Sequence, residues 1–141
     1  REGVLFFEGS ALFRASIFRG LSISNGTILN CVQMFFTSTL NQIRFTILIG
    51  GVSSFSQNII VNDITTFNKI ALSWKLNEFK IFVNGVKVFQ QLSGATFAFN
   101  TLNRLAFDRG DGSETLHSQT KDLRVYTTAL TDSELTTLTT L

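Results

Sequence analysis

The chain has 141 residues, a formal net charge of +2, no proline, and single cysteine, tryptophan and tyrosine residues against fifteen phenylalanines. That length suits one domain, residues 1–141, able to bury about two thirds of its unfolded surface without a staple; the lone Cys31 excludes an internal disulfide. The thin positive charge forms no dense basic run, which argues against nucleic acid as a partner, and no apolar run is long enough for insertion across a membrane.

Aromatic and β-branched enrichment with few charges is a sheet composition. In the first half, apolar segments bounded by Gly, Asn and Ser predict strands at 4–7, 11–23 (broken), 28–37, 42–50 and 55–61. Asn30, Gln33 and Ser38 interrupt the most apolar region, and the neighbours of Cys31 favour a buried, inert thiol. Gly50-Gly51 with Ser53-Ser54 reads as a hairpin loop and not as a linker between domains.

The second half is sharper. Ile70, Leu72, Trp74 and Leu76 alternate with Ala71, Ser73 and Lys75, the period of a strand over 69–76 with one face buried. Asn77-Glu78 reverses the chain, Phe79, Ile81 and Val83 share a face of a strand over 79–84, and Asn84-Gly85 is the dipeptide of a type I′ hairpin leading into 86–91. Further strands are predicted at 96–99, 103–107 and 122–127; in the last, Leu123 and Val125 oppose Arg124 and Tyr126. Thr131-Asp132-Ser133-Glu134 is a capping box, with Leu130 and Leu135 at the staple positions and Asp132 where the helix dipole favours an anion. The threonines that follow are poor helix formers, so two turns are expected, anchored by Leu135 and Leu138. Many short strands with one terminal helix predict an all-β, two-sheet antiparallel sandwich.

Two stretches carry a family resemblance. Lys69-Ile-Ala-Leu-Ser-Trp74 followed by Phe79-Lys-Ile-Phe-Val-Asn-Gly-Val86, and Lys121-Asp-Leu-Arg-Val-Tyr126 followed by Ala129-Leu-Thr-Asp-Ser-Glu-Leu135, resemble the signatures of concanavalin A-like, laminin-G/pentraxin jelly-roll domains. Leu102 to Ser113 is similar to domains of bacteriophage virion proteins. The resemblance covers Phe67 to Leu138 well and implies a jelly roll with a short C-terminal helix. It also implies noncatalytic recognition of cell-surface glycans by a module of a tail or head fibre, at the virion or extracellular surface, homo-oligomeric and in contact with other virion subunits. A purely structural virion decoration is the alternative, favoured by fifteen Phe in so small a domain. The start at Arg1 suits a module or C-terminal fragment of a longer chain.

Three groups of residues invite a chemical reading. The loop Asp108-Arg109-Gly110-Asp111-Gly112-Ser113-Glu114 is the most polar spot; Asp108, Asp111 and Glu114 could offer calcium its hard oxygen ligands, or the loop could be a solvated turn with no cofactor. Its Arg109-Gly110-Asp111 tripeptide matches an integrin-binding motif, at a length that chance supplies easily. On the meander, one face would present Ser73, Lys75, Lys80, Phe82 and Asn84, a mixed polar and aromatic surface suited to carbohydrate. The candidate ligand-binding residues are therefore Asp108, Arg109, Asp111, Lys80, Phe82 and Asn84. Trp74 could stack on a sugar, but it shares a face with Ile70 and Leu72 and belongs to the core by pattern. His117 is the only histidine, which removes multi-histidine metal sites, and the Glu-x-Asp-x-x-Glu strand of laminarinase-type relatives is absent, so no enzyme activity is expected.

Overall fold

The computed structural model describes residues 1–15 and 17–141. Ten strands and one helix follow in the order β1 (Gly3–Ala11), β2 (Arg19–Ser24), β3 (Cys31–Phe36), β4 (Gln42–Ile49), β5 (Val52–Ile60), β6 (Asn68–Lys75), β7 (Glu78–Val83), β8 (Val86–Gln91), β9 (Arg104–Ala106), β10 (Ser118–Tyr126) and α1 (Asp132–Thr139). They form two five-stranded sheets, the all-β antiparallel jelly-roll class expected, with the short helix at the end. The chain divides into two compact units, Arg1–Ser10 with Thr66–Thr96 and Gln119–Leu141, and Ala11–Thr65 with Phe97–Ser118.

In the first unit the strand order is β10-β1-β6-β7-β8. The register Phe6↔Ala71↔Phe82 and Val4↔Ser73↔Lys80 places these residues on one face, while Leu5, Phe7, Ile70, Leu72, Trp74, Phe79 and Ile81 occupy the other. Both faces are buried. The first face closes because Leu135 of α1 packs on Val4, Phe6, Ala71 and Phe82, with Tyr126, Leu130 and Leu138 around it. Burying that leucine is worth about 2 kcal/mol. The capping box forms as expected: Thr131 Oγ1 accepts from the Glu134 amide at 3.2 Å and Glu134 Oε2 accepts from the Thr131 amide at 2.8 Å. Asn84 and Gly85 take positive φ, +49° and +84°, as a type I′ turn requires. Thr139 ties the helix end to that turn: its hydroxyl accepts from the Gly85 amide at 3.1 Å and donates to the Leu135 carbonyl at 2.8 Å.

In the second unit the order is β5-β4-β3-β2-β9. Leu21, Ile23, Val32, Met34, Phe45, Ile47 and Phe55 fill its apolar face. Gly50 and Gly51, both at positive φ, turn β4 into β5, the hairpin expected there. Cys31 is buried, and burial pushes its thiol up to about 11.

Four expectations are corrected. The expected 11–23 segment divides between the last residue of β1 and the first five of β2, and its position 16 lies outside the described residues. No strand forms at 96–99, where Phe97 is held by side-chain burial and not by a ladder. Leu76 is exposed: it shares the turn with Asn77, whose φ is +58°, and Glu78 already belongs to β7. The last strand begins at Ser118, earlier than its alternating apolar residues mark, because main-chain pairing at an edge needs no apolar side chains.

Candidate functional site

The cleft of interest lies on the polar face of the second unit's sheet. Period-two alternation sends Gln33 and Phe35 of β3, and Arg44 and Thr46 of β4, to the face opposite Val32, Met34, Phe45 and Ile47. Two cross-strand rows result, Gly20–Phe35–Arg44–Asn58 and Ser22–Gln33–Thr46–Ser56. Gly20 has a steric reason: the ring of Phe35 lies where its β carbon would stand. The rows floor a cleft of about 420 Å³ whose rim includes Phe18, Arg109 and Glu114.

Arg44 donates its Nε to Asn58 Oδ1 at 3.0 Å, and its guanidinium sits 4.9 Å over the Phe18 ring. Among the described residues it has no carboxylate partner, so the cleft contains an uncompensated cation. Arg109 reaches the cleft because its loop is strapped to the sheet: Gln33 Nε2 donates to the Arg109 carbonyl at 2.7 Å, and Ser24 Oγ donates to the Gly110 carbonyl at 3.4 Å. The Arg109 guanidinium pairs with Asp111 at 2.8 Å and lies 3.7 Å from Glu114, while its buried Nε has no hydrogen-bond partner among the described residues. Glu114 has a φ of +51°, an uncommon conformation for a side-chain-bearing residue, and its carbonyl accepts from the Gly20 amide at 3.3 Å. Two guanidiniums, a carboxylate, an amide, three hydroxyls and two aromatic rings therefore converge in one depression. That set suits a polar, anionic ligand with a hydroxylated body: guanidinium matches a carboxylate bidentately, and rings pack against C–H faces.

The loop expected to bind a metal behaves differently. Asp108 is buried, accepts from the Gly110 amide at 2.6 Å and pairs with Arg104 at 3.3 Å. Asp111 turns onto Arg109 and onto the Ser113 amide and hydroxyl, and these partners hold its carboxyl well below the usual carboxylate range. Glu114 points to Arg109. Among the described residues no group of three His, Cys, Asp or Glu side chains could hold a metal ion, so the calcium set Asp108, Asp111 and Glu114 is corrected: Asp108 serves Arg104 and the Gly110 amide, whereas Asp111 and Glu114 both turn to Arg109. The Arg109-Gly110-Asp111 tripeptide is likewise closed on itself, with Gly110 buried and the two charges joined.

The open face expected at Lys80, Phe82 and Asn84 is also corrected. Phe82 is 1 % exposed beneath Leu135 of α1. Lys80 Nζ bridges Glu78 at 2.9 Å and Asp132 at 2.7 Å. Asn84 holds the hairpin, its side chain accepting from the Lys69 amide and donating to Asn68. Beside the helix a groove of about 570 Å³ remains, but its charges are already answered: Arg124 pairs with Asp122, Glu8 with Lys121, and Lys69 donates to the Thr140 carbonyl. Of the residues singled out from sequence, the structure brings Arg109 and Glu114 into the cleft with Gln33, Phe35, Arg44 and Thr46, which sequence reasoning left unassigned. Their signal was present as the out-of-phase positions of two otherwise apolar strands.

The description of the concanavalin A-like lectin/glucanase superfamily matches residues 13–136. No curated protein sequence matches the chain. Among solved structures, the carbohydrate-binding module CBM40 of the Ruminococcus gnavus IT-sialidase superposes with a TM-score of 0.76 at 18 % identity, covering 99 % of this chain and 83 % of that one. The same module is also known bound to α2,3-sialyllactose. The NanB sialidase of Streptococcus pneumoniae matches with a TM-score of 0.74 at 15 % identity, over 96 % of this chain and 23 % of that enzyme. Matches at such identity establish likeness of fold, while the family match spans most of the sequence: this chain belongs to the concanavalin A-like lectin/glucanase superfamily.

Proposed function

We propose that this chain is a noncatalytic carbohydrate-binding module and that the cleft over β3, β4 and β5 takes the acidic residue of a glycan. The observation that carries the reading is Arg44, a cation without a carboxylate partner among the described residues, in one cleft with Arg109 and the rings of Phe18 and Phe35. A sugar carboxylate would meet the two guanidiniums, ring hydroxyls would meet Gln33, Thr46, Ser53 and Ser56, and apolar C–H surface would rest on the phenylalanines. Support comes also from similarity to a module solved with α2,3- and α2,6-sialyllactose. The setting we propose is an appendage of a phage particle, facing host-surface glycans; its support is the sequence similarity of the Leu102 to Ser113 region to virion domains. A single cleft of this kind binds weakly, and repeated copies would supply avidity.

Titration calorimetry with sialyllactose and with lactose tests the reading. Saturable binding of the acidic trisaccharide, absent for lactose and weakened by salt, is expected. Equal heats for both sugars, or none for either, would sink it, as would release of free sialic acid on prolonged incubation.

A further inference from the structure

The terminal helix presents two kinds of side chain. Leu135 and Thr139 are buried, whereas Ser133, Glu134, Thr137 and Leu138 line the groove of about 570 Å³ beside the helix. That volume falls within the range of small-molecule sites, about 300 to 1,000 Å³. Serine and threonine are poor helix formers, and no packing asks for them at 133 and 137, where both are exposed. The hydroxyls of Thr139 and Thr140 donate to the Leu135 and Thr136 carbonyls, but those of Ser133 and Thr137 have no hydrogen-bond partner among the described residues. Period-two alternation on β10 brings Asp122, Arg124 and Tyr126 into the same groove. They form a row about 13 Å long.

The charges of the groove cancel, yet their hydrogen-bonding capacity is not spent. Glu8, Asp122 and Glu134 line it with Lys69 and Arg124, and Lys121 answers Glu8 at 3.5 Å, so three carboxylates meet three cations. Asp122 meets Arg124 through Oδ2 at 2.8 Å, and Glu134 uses Oε2 for both the Thr131 amide and hydroxyl. The other oxygen of each carboxylate has no partner among the described residues. Lys69 gives one N–H to the Thr140 carbonyl at 2.9 Å, and an ammonium has three. Tyr126, Leu130 and Leu138, packed around Leu135, add an apolar wall.

We propose that this groove is a second saccharide site and takes a neutral, linear oligosaccharide. Mutual cancellation leaves no net charge to draw an ion, and a sugar carboxylate would meet the unused oxygens of Asp122 and Glu134, so the acidic ligand of the cleft is rejected here. Free acceptors on Asp122 and Glu134, free donors on Lys69, and the hydroxyls of Ser133 and Thr137, which do both, are the counterparts of sugar hydroxyls; the apolar wall suits a C–H face. The row on β10 outruns a single ring. A disaccharide such as lactose reaches only part of it and is not retained, so lactose stays silent at both sites. The groove lies wholly within the first unit, and the inference stands whatever the cleft binds.

Amide spectra of the isotope-labelled whole chain, titrated to millimolar cellotetraose and, separately, lacto-N-neotetraose, test it. At least one of these neutral tetrasaccharides is expected to shift the amides of Asp122 to Tyr126 and Ser133 to Leu138 saturably, to leave those of Gln33 to Thr46 still, and to do so regardless of salt. Sialyllactose is expected to leave the groove amides still, so failure of one site is read apart from failure of the other. Ser133→Ala with Thr137→Ala removes both free hydroxyls while favouring the helix, which keeps the fold. An affinity loss of about tenfold is expected. Groove amides unmoved by either tetrasaccharide, equal shifts there from sialyllactose, or a folded double variant of unchanged affinity each overturns the proposal.

Discussion

The ring of Phe35 occupies the space above the α-carbon of Gly20, its cross-strand neighbour, and thereby floors the cleft next to Arg44. Gly20→Ala would drive a methyl group into that ring and into the Met34 carbonyl. Overpacking of this kind costs about 1 to 3 kcal/mol. The expected outcome is a lower urea midpoint together with weaker sialyllactose binding; unaltered values in both would show that Phe35 has another position of equal energy.

Arg44 and Arg109 should respond differently to substitution. Arg44→Ala removes the uncompensated cation, and losing a charged hydrogen bond of about 1.5 to 3 kcal/mol corresponds to an affinity loss of tenfold or more. Arg44→Lys keeps the charge but loses the fork and is expected to recover only part of that loss. Arg109→Ala should weaken binding and also free Asp111, so its carboxyl, now held low first by Arg109 and then by Ser113, should titrate nearer the ordinary range in an NMR pH series.

Gln33 is a positioning residue. Its side chain donates to the Arg109 carbonyl, so Gln33→Leu should loosen the Asp108 to Glu114 loop. Loss of one such bond costs about 1 kcal/mol. Faster amide exchange in that loop with little change in β3 is the expected signature.

The junction of Lys80 with Asp132 governs the acid limb. The Lys80 hydrogen bond, then that from Lys87, holds the Asp132 carboxyl below its ordinary value; Glu78 is lowered first by Lys80, and Glu134 by the Thr131 amide. Carboxyls depressed in the folded state contribute stability that is present above the unfolded value, about pH 4, and lost as pH falls through the folded values. For Lys80, burial opposes the charge but hydrogen bonds to Asp132 and Glu78 outweigh it, raising its value; its contribution is complete below the unfolded value and lost as pH rises through the folded one. Urea midpoints from pH 6 to pH 2 should therefore fall in the unmodified chain, about 4 marking the onset. Lys80→Met should flatten that fall.

Leu135→Ala tests the lid of the first unit. Leu135 is fully buried on Val4, Phe6, Ala71 and Phe82, so its truncation is expected to cost about 2 to 5 kcal/mol. Dye binding to the uncovered Phe82 face should rise in parallel. A cost below about 1 kcal/mol would mean that α1 docks without it.

What the linear chain determined by itself was everything set by neighbours a few positions apart: the strand alternation, the Asn84-Gly85 turn, the Gly50-Gly51 hairpin, and the Thr131–Glu134 box with its two-turn helix. These follow from local dihedral preference and local hydrogen bonding, which need no distant partner. The superfamily was legible for the same reason, since its signatures are such local patterns.

Only the tertiary structure decided which strand face stays open. On β7 the alternation of Lys80 and Phe82 with Ile81 and Val83 correctly marked two faces, but a helix some fifty positions later covers the one expected to be free. On β3 and β4 the polar positions could equally have been solvated; their meaning came when pairing set Phe35 beside Arg44 and the 108–114 loop folded back to deliver Arg109. Alternation encodes two sides of a strand, whereas long-range packing chooses which side meets water, a ligand or another part of the chain.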